Sequence, residues 1–443
     1  MHIIKSIAFA CAAFCASQAH ALDPATMNAP GTLKVFVSGA SALSGSINGL
    51  FTQNCIAATR TSYTYASIYP GTTTAAAFGT INSCSLVAGN DFGLPVNTNI
   101  MFQKRDAGGS GVGVYPVSNN TAIDFINATS CTGPATGTGT CTTLFQRTAD
   151  GGVSDVEPAL FSFTQNTPPE SVGTAVGNKF TSLPINQTIF GLTVTNALYT
   201  ALQTEQGLTA AQRPNISQAV AGQMLRSNFL TDPISWKLLL PSASAAAQNS
   251  QVTICRRVNG SGTQAAANRF FLEYPFNSGT SQEPLAAGDS TAIAHGTAAN
   301  QLFVVENSAT ADSRNCMTAA NTAGGFALGH ISLENAETAA WKFVKVGGQE
   351  PSRLEATNGR YAYFFESTGQ ISTLAPANVQ SFLTSFFNGA GLPVNLAQLS
   401  TANQAGVMAR PQSAACPDPF VSGTFCSRVT RNGNSAEFPG FFR

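Results

Sequence analysis

Four short stretches of the 443-residue chain set hydroxyl side chains among glycines. They are Val37-Ser38-Gly39-Ala40-Ser41-Ala42, Arg105-Asp106-Ala107-Gly108-Gly109-Ser110-Gly111, Asp150-Gly151-Gly152-Val153-Ser154-Asp155 and Arg256-Arg257-Val258-Asn259-Gly260-Ser261-Gly262-Thr263. Three of them run into a helix-like pattern. A helix start carries unpaired N–H groups and a partial positive charge. Glycine lets the backbone approach a ligand closely, and serine or threonine adds a hydroxyl donor, so such turns suit a small anion. Arg257 could add a bidentate, charge-assisted contact. Taken one at a time, each turn reads equally well as a helix cap. None is a phosphate-binding loop of the GxxxxGK[ST] type or a GxGxxG dinucleotide fingerprint, so no cofactor is expected.

Other chemistries find little material. Gly39-Ala40-Ser41-Ala42-Leu43 does not fit the GxSxG nucleophile elbow, and outside the N-terminal leader only His295 and His330 could serve as a base. No CxxC occurs, and two histidines do not make a metal site. The chain reads as a binder and not as an enzyme.

The elements that must present these turns alternate. Residues 33–37 (LKVFV) form a strand pattern, 38–40 a turn, and 41–51 a helix pattern with Leu43, Ile47 and Phe51 on one face. Residues 100–102, 189–194 and 252–256 read as strands, and 214–225 and 263–272 as helices. Strands alternating with helices predict an α/β fold with mixed sheets. Residues 57–94 and 127–143, rich in Thr, Gly, Ser and Asn, read as long loops held by cysteines. No repeat of fixed period is visible.

Lys5, the apolar run 7–16 and Ala19-His20-Ala21 form a signal-peptide pattern with cleavage after Ala21, which predicts a periplasmic or secreted protein. Ala12, Ala13 and Phe14 make a poor lipobox before Cys15. No later run is long and apolar enough to span a membrane. Beyond the leader remain 21 basic and 22 acidic side chains. That balance argues against a nucleic-acid surface, which needs basic clusters. Cys11 and Cys15 leave with the leader. The remaining eight cysteines, an even number, read as four disulfides in an exported chain. Many connectivities are open; neighbour pairing (55–84, 131–141, 255–316, 416–426) closes the shortest loops.

The order of the four turns resembles the periplasmic phosphate-binding proteins of phosphate ABC transporters, in the type 2 solute-binding superfamily. The first is similar to that family's Gly-x-Gly-Ala-Thr-Phe turn, the third to its Asp-Phe-Gly-Ala-Ser-Asp, and the fourth to its Arg-x-Asp-Gly-Ser-Gly-Thr. Residues 325–333 (GFALGHISL) and 344–364 resemble two later stretches of the family. The likeness touches most of 33–370. The resemblance implies a two-lobed binding protein that closes on phosphate and serves an ABC permease, with no nucleic acid or membrane span involved. Lobe one would be 22–185 with 345–443 returning to it, and lobe two 186–344. Ser41, the Ala42 N–H and Ser110 would contact the anion from lobe one, where Asp155 would accept the ligand's proton. Arg257, Asn259, Ser261, Gly262 and Thr263 would contact it from lobe two. Asn259 stands where the family has Asp, which would weaken discrimination against sulfate-like anions, since Asn can donate as well as accept. Ala42 replaces the family's Phe. A surface or adhesion protein that kept such a fold without transport, and a binding protein for another small anion, are the alternative readings, because fold does not fix function.

Overall fold

In the computed structural model the described residues are 22–133, 137–226, 235–275, 284–285, 301–411, 416 and 425–441. The leader, Cys11, Cys15 and His295 lie outside them. A 14-stranded mixed sheet forms the frame. Its strands are β1 (Leu33–Gly39), β2 (Thr61–Tyr65), β3 (Gly79–Ser85), β4 (Asn99–Arg105), β5 (Cys131–Thr132), β6 (Gly137–Cys141), β7 (Gly151–Ser154), β8 (Phe180–Thr195), β9 (Val252–Arg257), β10 (Leu302–Asn307), β11 (Ala327–Ser332), β12 (Trp341–Phe343), β13 (Phe364–Ser372) and β14 (Val407–Met408). The order is β10-β9-β11-β8-β13-β7-β1-β4-β3-β2-β6-β5, with β12 and β14 also paired to β8.

Strand β8 divides this sheet into two halves. Its first part, to Ile189, pairs with β13, and its second part, from Phe190 to Val194, pairs with β11. In one half β1 runs parallel to both β4 and β7. In the other, β9 runs parallel to β10 and β11. Val35, Phe36 and Val37 are consecutive and apolar because both faces of β1 are covered from there on. Val35 and Val37 pack with Ile47, Phe51 and Phe382 on one face, and Phe36 packs with Ile81, Met101 and Phe125 on the other.

Five helices matter to the site: α1 (Ser44–Gln53), α2 (Ser110–Asn119), α3 (Gly262–Leu272), α4 (Thr310–Thr322) and α5 (Ala377–Gly389). The helix predicted over 214–225 starts later, at Gln218. The Ser217 side chain accepts the Val220 N–H and fixes the start there, while Asn215–Ile216 pairs with Lys345–Val346. The stretches expected to be loops also differ. Residues 57–94 supply β2 and β3, and 127–143 supply β5 and β6. Their Thr/Ser/Gly composition hid alternation: Thr61 and Tyr63 are buried while Ser62 and Thr64 are partly exposed.

All four disulfides join sequence neighbours: Cys55–Cys84, Cys131–Cys141, Cys255–Cys316 and Cys416–Cys426. The third ties α4 to β9, the strand that ends in Arg257. Its sequence separation of 61 is the longest, and loop-closure entropy assigns such a crosslink about 4 kcal/mol. Replacing Cys255 and Cys316 together by alanine is expected to cost about that much stability in thermal unfolding. An unchanged melting temperature would show that the crosslink does not hold this strand and helix together.

The C-terminal stretch is tied across both halves. The Glu366 carboxylate on β13 accepts the Arg431 N–H at 3.0 Å, the Gly433 N–H at 2.5 Å and the Thr430 hydroxyl. Arg269 of α3 donates to the Ser435 carbonyl at 2.9 Å, and the Ser435 N–H donates to Glu157 Oε1 at 3.0 Å. The strap therefore links α3 to the loop just beyond Asp155.

Candidate anion site between the two halves

The turn after β1 depends on glycine. Gly39 has φ +113°, and a Cβ there would lie 2.1 Å from the Val153 carbonyl oxygen. Lys104, fully buried on β4, holds the turn from beneath. Its ammonium donates to the Gly39 and Ala40 carbonyls at 3.0 Å each, to Ser44 Oγ at 3.3 Å and to Asp106 Oδ1 at 2.5 Å. Ser41 opens a short 3-10 turn, Ser41–Leu43, that leads into α1. Ala42 is buried beside it, and its carbonyl accepts from Ser332 Oγ at 3.4 Å.

The second, third and fourth turns meet one another. The Gly111 N–H donates to the Gly260 carbonyl at 2.6 Å. The Asp155 N–H donates to Ser110 Oγ at 3.1 Å, and Thr263 Oγ1 donates to Asp155 Oδ2 at 3.4 Å. A Cβ on Gly262 would stand 2.3 Å from Ser110 Oγ and 2.7 Å from the Asp155 Cβ, so only glycine permits this approach. Ser261 caps α3 by accepting the Gln264 N–H at 3.3 Å. Asp155 Oδ1 is buried and has no hydrogen-bond partner.

Arg257 reaches the same place from the end of β9 and is 1% exposed. Its Nε donates to the Asn307 carbonyl at 3.0 Å, Nη1 to Thr310 Oγ1 at 3.1 Å and Nη2 to the Ser308 carbonyl at 2.8 Å. These contacts use three of the five N–H groups of a guanidinium. Its backbone N–H donates to Gln264 Oε1 at 2.9 Å. The same oxygen lies 3.1 Å from His330 Nε2. Burial, reinforced by Arg256 and Arg257, pushes the His330 imidazole down to about 3, so it is a neutral strut.

Asn259 lies elsewhere. Its Oδ1 accepts from Arg256 Nη2 at 2.6 Å, and it lines an outer cleft of about 680 Å³ together with Tyr69, Tyr115, Val258 and Ser308. An aspartate at 259 would pair with Arg256. Asn259→Asp is therefore expected to leave the ratio of phosphate to sulfate affinity within about twofold, because the new carboxylate would be taken up by Arg256 and not by the anion. A larger change in competitive titration would return Asn259 to the anion's own surroundings.

Burial pushes the Asp155 carboxyl up to about 6, against the pull of Arg257, Ser110, Lys104 and Thr263. Burial pushes Arg257 down to about 10, against Asp155, Asp312 and Asp106. A further acid, Glu334, is pushed up to about 8 by burial and Asp155, against the Gly45 and Ser46 amides. Its Oε2 is buried without a partner. Two cations, Lys104 and Arg257, thus face three aspartates, and the site has no surplus positive charge. An anion here would be held by N–H and hydroxyl dipoles more than by net charge.

The structure brings Ser110, Asp155, Gly262 and Thr263 into direct contact and joins Ser41 to Arg257 through Thr310. Sequence reasoning missed Lys104, Thr310 and Glu334. The Lys-x-Asp spacing of Lys104 and Asp106, just ahead of the second glycine turn, was the one signal on offer.

No protein-family model and no curated protein matches the chain. Among solved structures, the chain is similar to a Clostridium perfringens protein named as a phosphate ABC transporter substrate-binding protein with bound phosphate. The identity is 11%, the match covers 84% of this chain and 99% of that one, and the TM-score is 0.41. It is similar also to an ABC-type phosphate transport receptor from Vibrio cholerae (10% identity, 80% and 93% covered, TM-score 0.39) and to PstS from Borrelia burgdorferi (11%, 80% and 92%, 0.34). These are distant likenesses, and the chemistry of the site rests on its own geometry.

Proposed function

We propose that this chain is an exported solute-binding protein that holds a small protonated oxyanion, phosphate in the first place, between its two halves and passes it to an ABC permease. One observation carries the reading. A buried arginine with unspent donors and a buried aspartate with an unpartnered oxygen face each other across the contact between halves, among Ser41, Ser110 and Thr263. The arginine supplies N–H donors to an oxyanion. The aspartate needs a donor, which a protonated oxyanion provides and a fully ionised one does not.

We take residues 22–185 and 345–443 as one lobe and 186–344 as the other. The change of partners along β8 supports a boundary there, and the return of β13 beside β7 supports the second crossing. Binding would hold the halves closed through contacts made only in the closed state. Four disulfides fit an exported chain. Among the described residues His330 is the sole histidine, and its lock onto Gln264 favours a binder over a catalyst. Calorimetric titration of ligand-free protein with phosphate and then sulfate tests the proposal. Phosphate binding that exceeds sulfate binding is expected. A folded, ligand-free sample that binds neither would move the reading to a surface protein that keeps only the fold.

A further inference from the structure

The start of α4 belongs to neither the glycine turns nor the resemblance, yet it sits at the centre of the site. Thr310 Oγ1 lies 3.0 Å from Ser41 Oγ in one half and 3.1 Å from Arg257 Nη1 in the other. The Thr310 N–H donates to Ser41 Oγ at 3.3 Å. A guanidinium only donates, so the Thr310 oxygen accepts from Arg257; with the Ser41 hydroxyl as donor in the bond between them, the Thr310 proton can turn toward another acceptor.

What holds Thr310 there comes from the opposite half. Asp312 Oδ2 accepts the Ala309 N–H at 2.9 Å and fixes the first turn of α4. Asp312 Oδ1 accepts both the N–H and the hydroxyl of Thr73 at 2.7 Å each. Asn315 Nδ2 donates to Thr73 Oγ1 at 2.7 Å. Thr73 lies in the segment between β2 and β3, so a polar loop of the first half grips a helix of the second. Asp312 is 3% exposed, while Thr73 and Asn315 lie at the surface, so the carboxylate end of the grip is shielded and its outer rim meets water.

We infer that Thr310 is an anion-contacting residue and that Thr73 and Asp312 form the latch that presents it when the halves meet. This rests on the oxyanion reading above. On arrival the anion takes the remaining N–H groups of Arg257, and the Thr310 hydroxyl donates to one of its oxygens. The Thr-rich segment 66–78 gains a role as a clasp across the mouth.

The test uses the full mature chain, with inorganic phosphate as the probe. Thr310→Val keeps the shape and removes the hydroxyl, and Thr310→Ser restores it. Losing one hydrogen bond to a charged ligand is expected to weaken phosphate binding about ten- to a hundredfold in the valine variant, with the serine variant within about threefold of the parent. Equal or tighter binding by the valine variant overturns the assignment of Thr310. Thr73→Ala, outside the anion's contacts, is expected to speed phosphate dissociation by about threefold or more in stopped-flow measurements, because interface changes act mainly on the off-rate. An unchanged off-rate overturns the latch. If the parent protein binds no phosphate, the oxyanion reading itself fails and this inference falls with it. If the parent binds and the variants match it, only the inference fails.

Discussion

Arg257→Met is expected to abolish phosphate binding, with an affinity loss of about a thousandfold or more, the scale for truncating one partner of a buried, hydrogen-bonded charge pair. Methionine keeps much of the volume, so the effect is electrostatic. Arg257 donates to the Asn307 and Ser308 carbonyls and to Thr310. Without it those acceptors are stranded, and Asp155, Asp312 and Asp106 lose the cation they share. Removing one member of a buried charge set costs about 3–5 kcal/mol, so the melting temperature should fall as well. Arg257→Lys separates the two effects. An ammonium keeps the charge and regains part of the stability, but it lacks the planar fork and cannot satisfy two carbonyls and an anion together. Calorimetry and thermal unfolding of both variants check this, and binding by the methionine variant within tenfold of the parent would contradict it.

Asp155→Asn is expected to flatten the fall in stability of the ligand-free protein with rising pH while it damages phosphate selectivity. The folded-state pKa of Asp155 is raised, from 3.8 to about 6. Between those values the folded chain keeps a proton that the unfolded chain has released. Its contribution is therefore fully present below about pH 4 and is lost as pH rises through 6, by about 3 kcal/mol in all. Asparagine removes that slope, so the variant's melting temperature should fall less than the parent's between about pH 4 and 7.5. Glu334, raised from 4.5 to about 8 in part by Asp155, has the same sign, so stability also falls between about pH 4.5 and 8 in the parent and over a narrower range in the variant. Phosphate keeps a proton near neutral pH and sulfate does not. An amide that can donate should weaken phosphate and strengthen sulfate, each by about tenfold, the scale of one charge-assisted hydrogen bond. Melting curves from pH 4 to 8 and paired titrations measure both. An unchanged pH slope with unchanged selectivity would remove Asp155 from the site.

Much of the frame was legible because its signals are local. Val35, Phe36 and Val37 within the run 33–37 marked a strand covered on both faces, and the helix read over 263–272 begins one residue earlier, at Gly262. The eight cysteines paired with their neighbours, as the shortest loops suggested. The strands within 57–94 and 127–143 were not legible, because threonine and glycine supply little apolar contrast. Helix α5 was legible in principle and was missed: Val379, Phe382, Leu383, Phe386 and Phe387 make a buried face, but it follows a stretch with no motif. Lys104, Thr310 and Glu334 lie beyond sequence reasoning for another reason. A buried lysine reads like any strand lysine until the Gly39 and Ala40 carbonyls are placed beside it. Thr310 lies 53 residues from the arginine it contacts. Asn259 shows the reverse case: its neighbours in sequence pointed to the anion, and its side chain turns to Arg256.

The most direct test of the central claim is the crystal structure of the mature protein with arsenate, a phosphate mimic whose arsenic is located by anomalous scattering. One strong arsenic peak is expected within hydrogen-bond reach of the Arg257 guanidinium, Thr263 and the free oxygen of Asp155, with the two halves closed around it. Arsenic bound only at the outer cleft or on the surface, with the Arg257 contacts undisturbed, would contradict it.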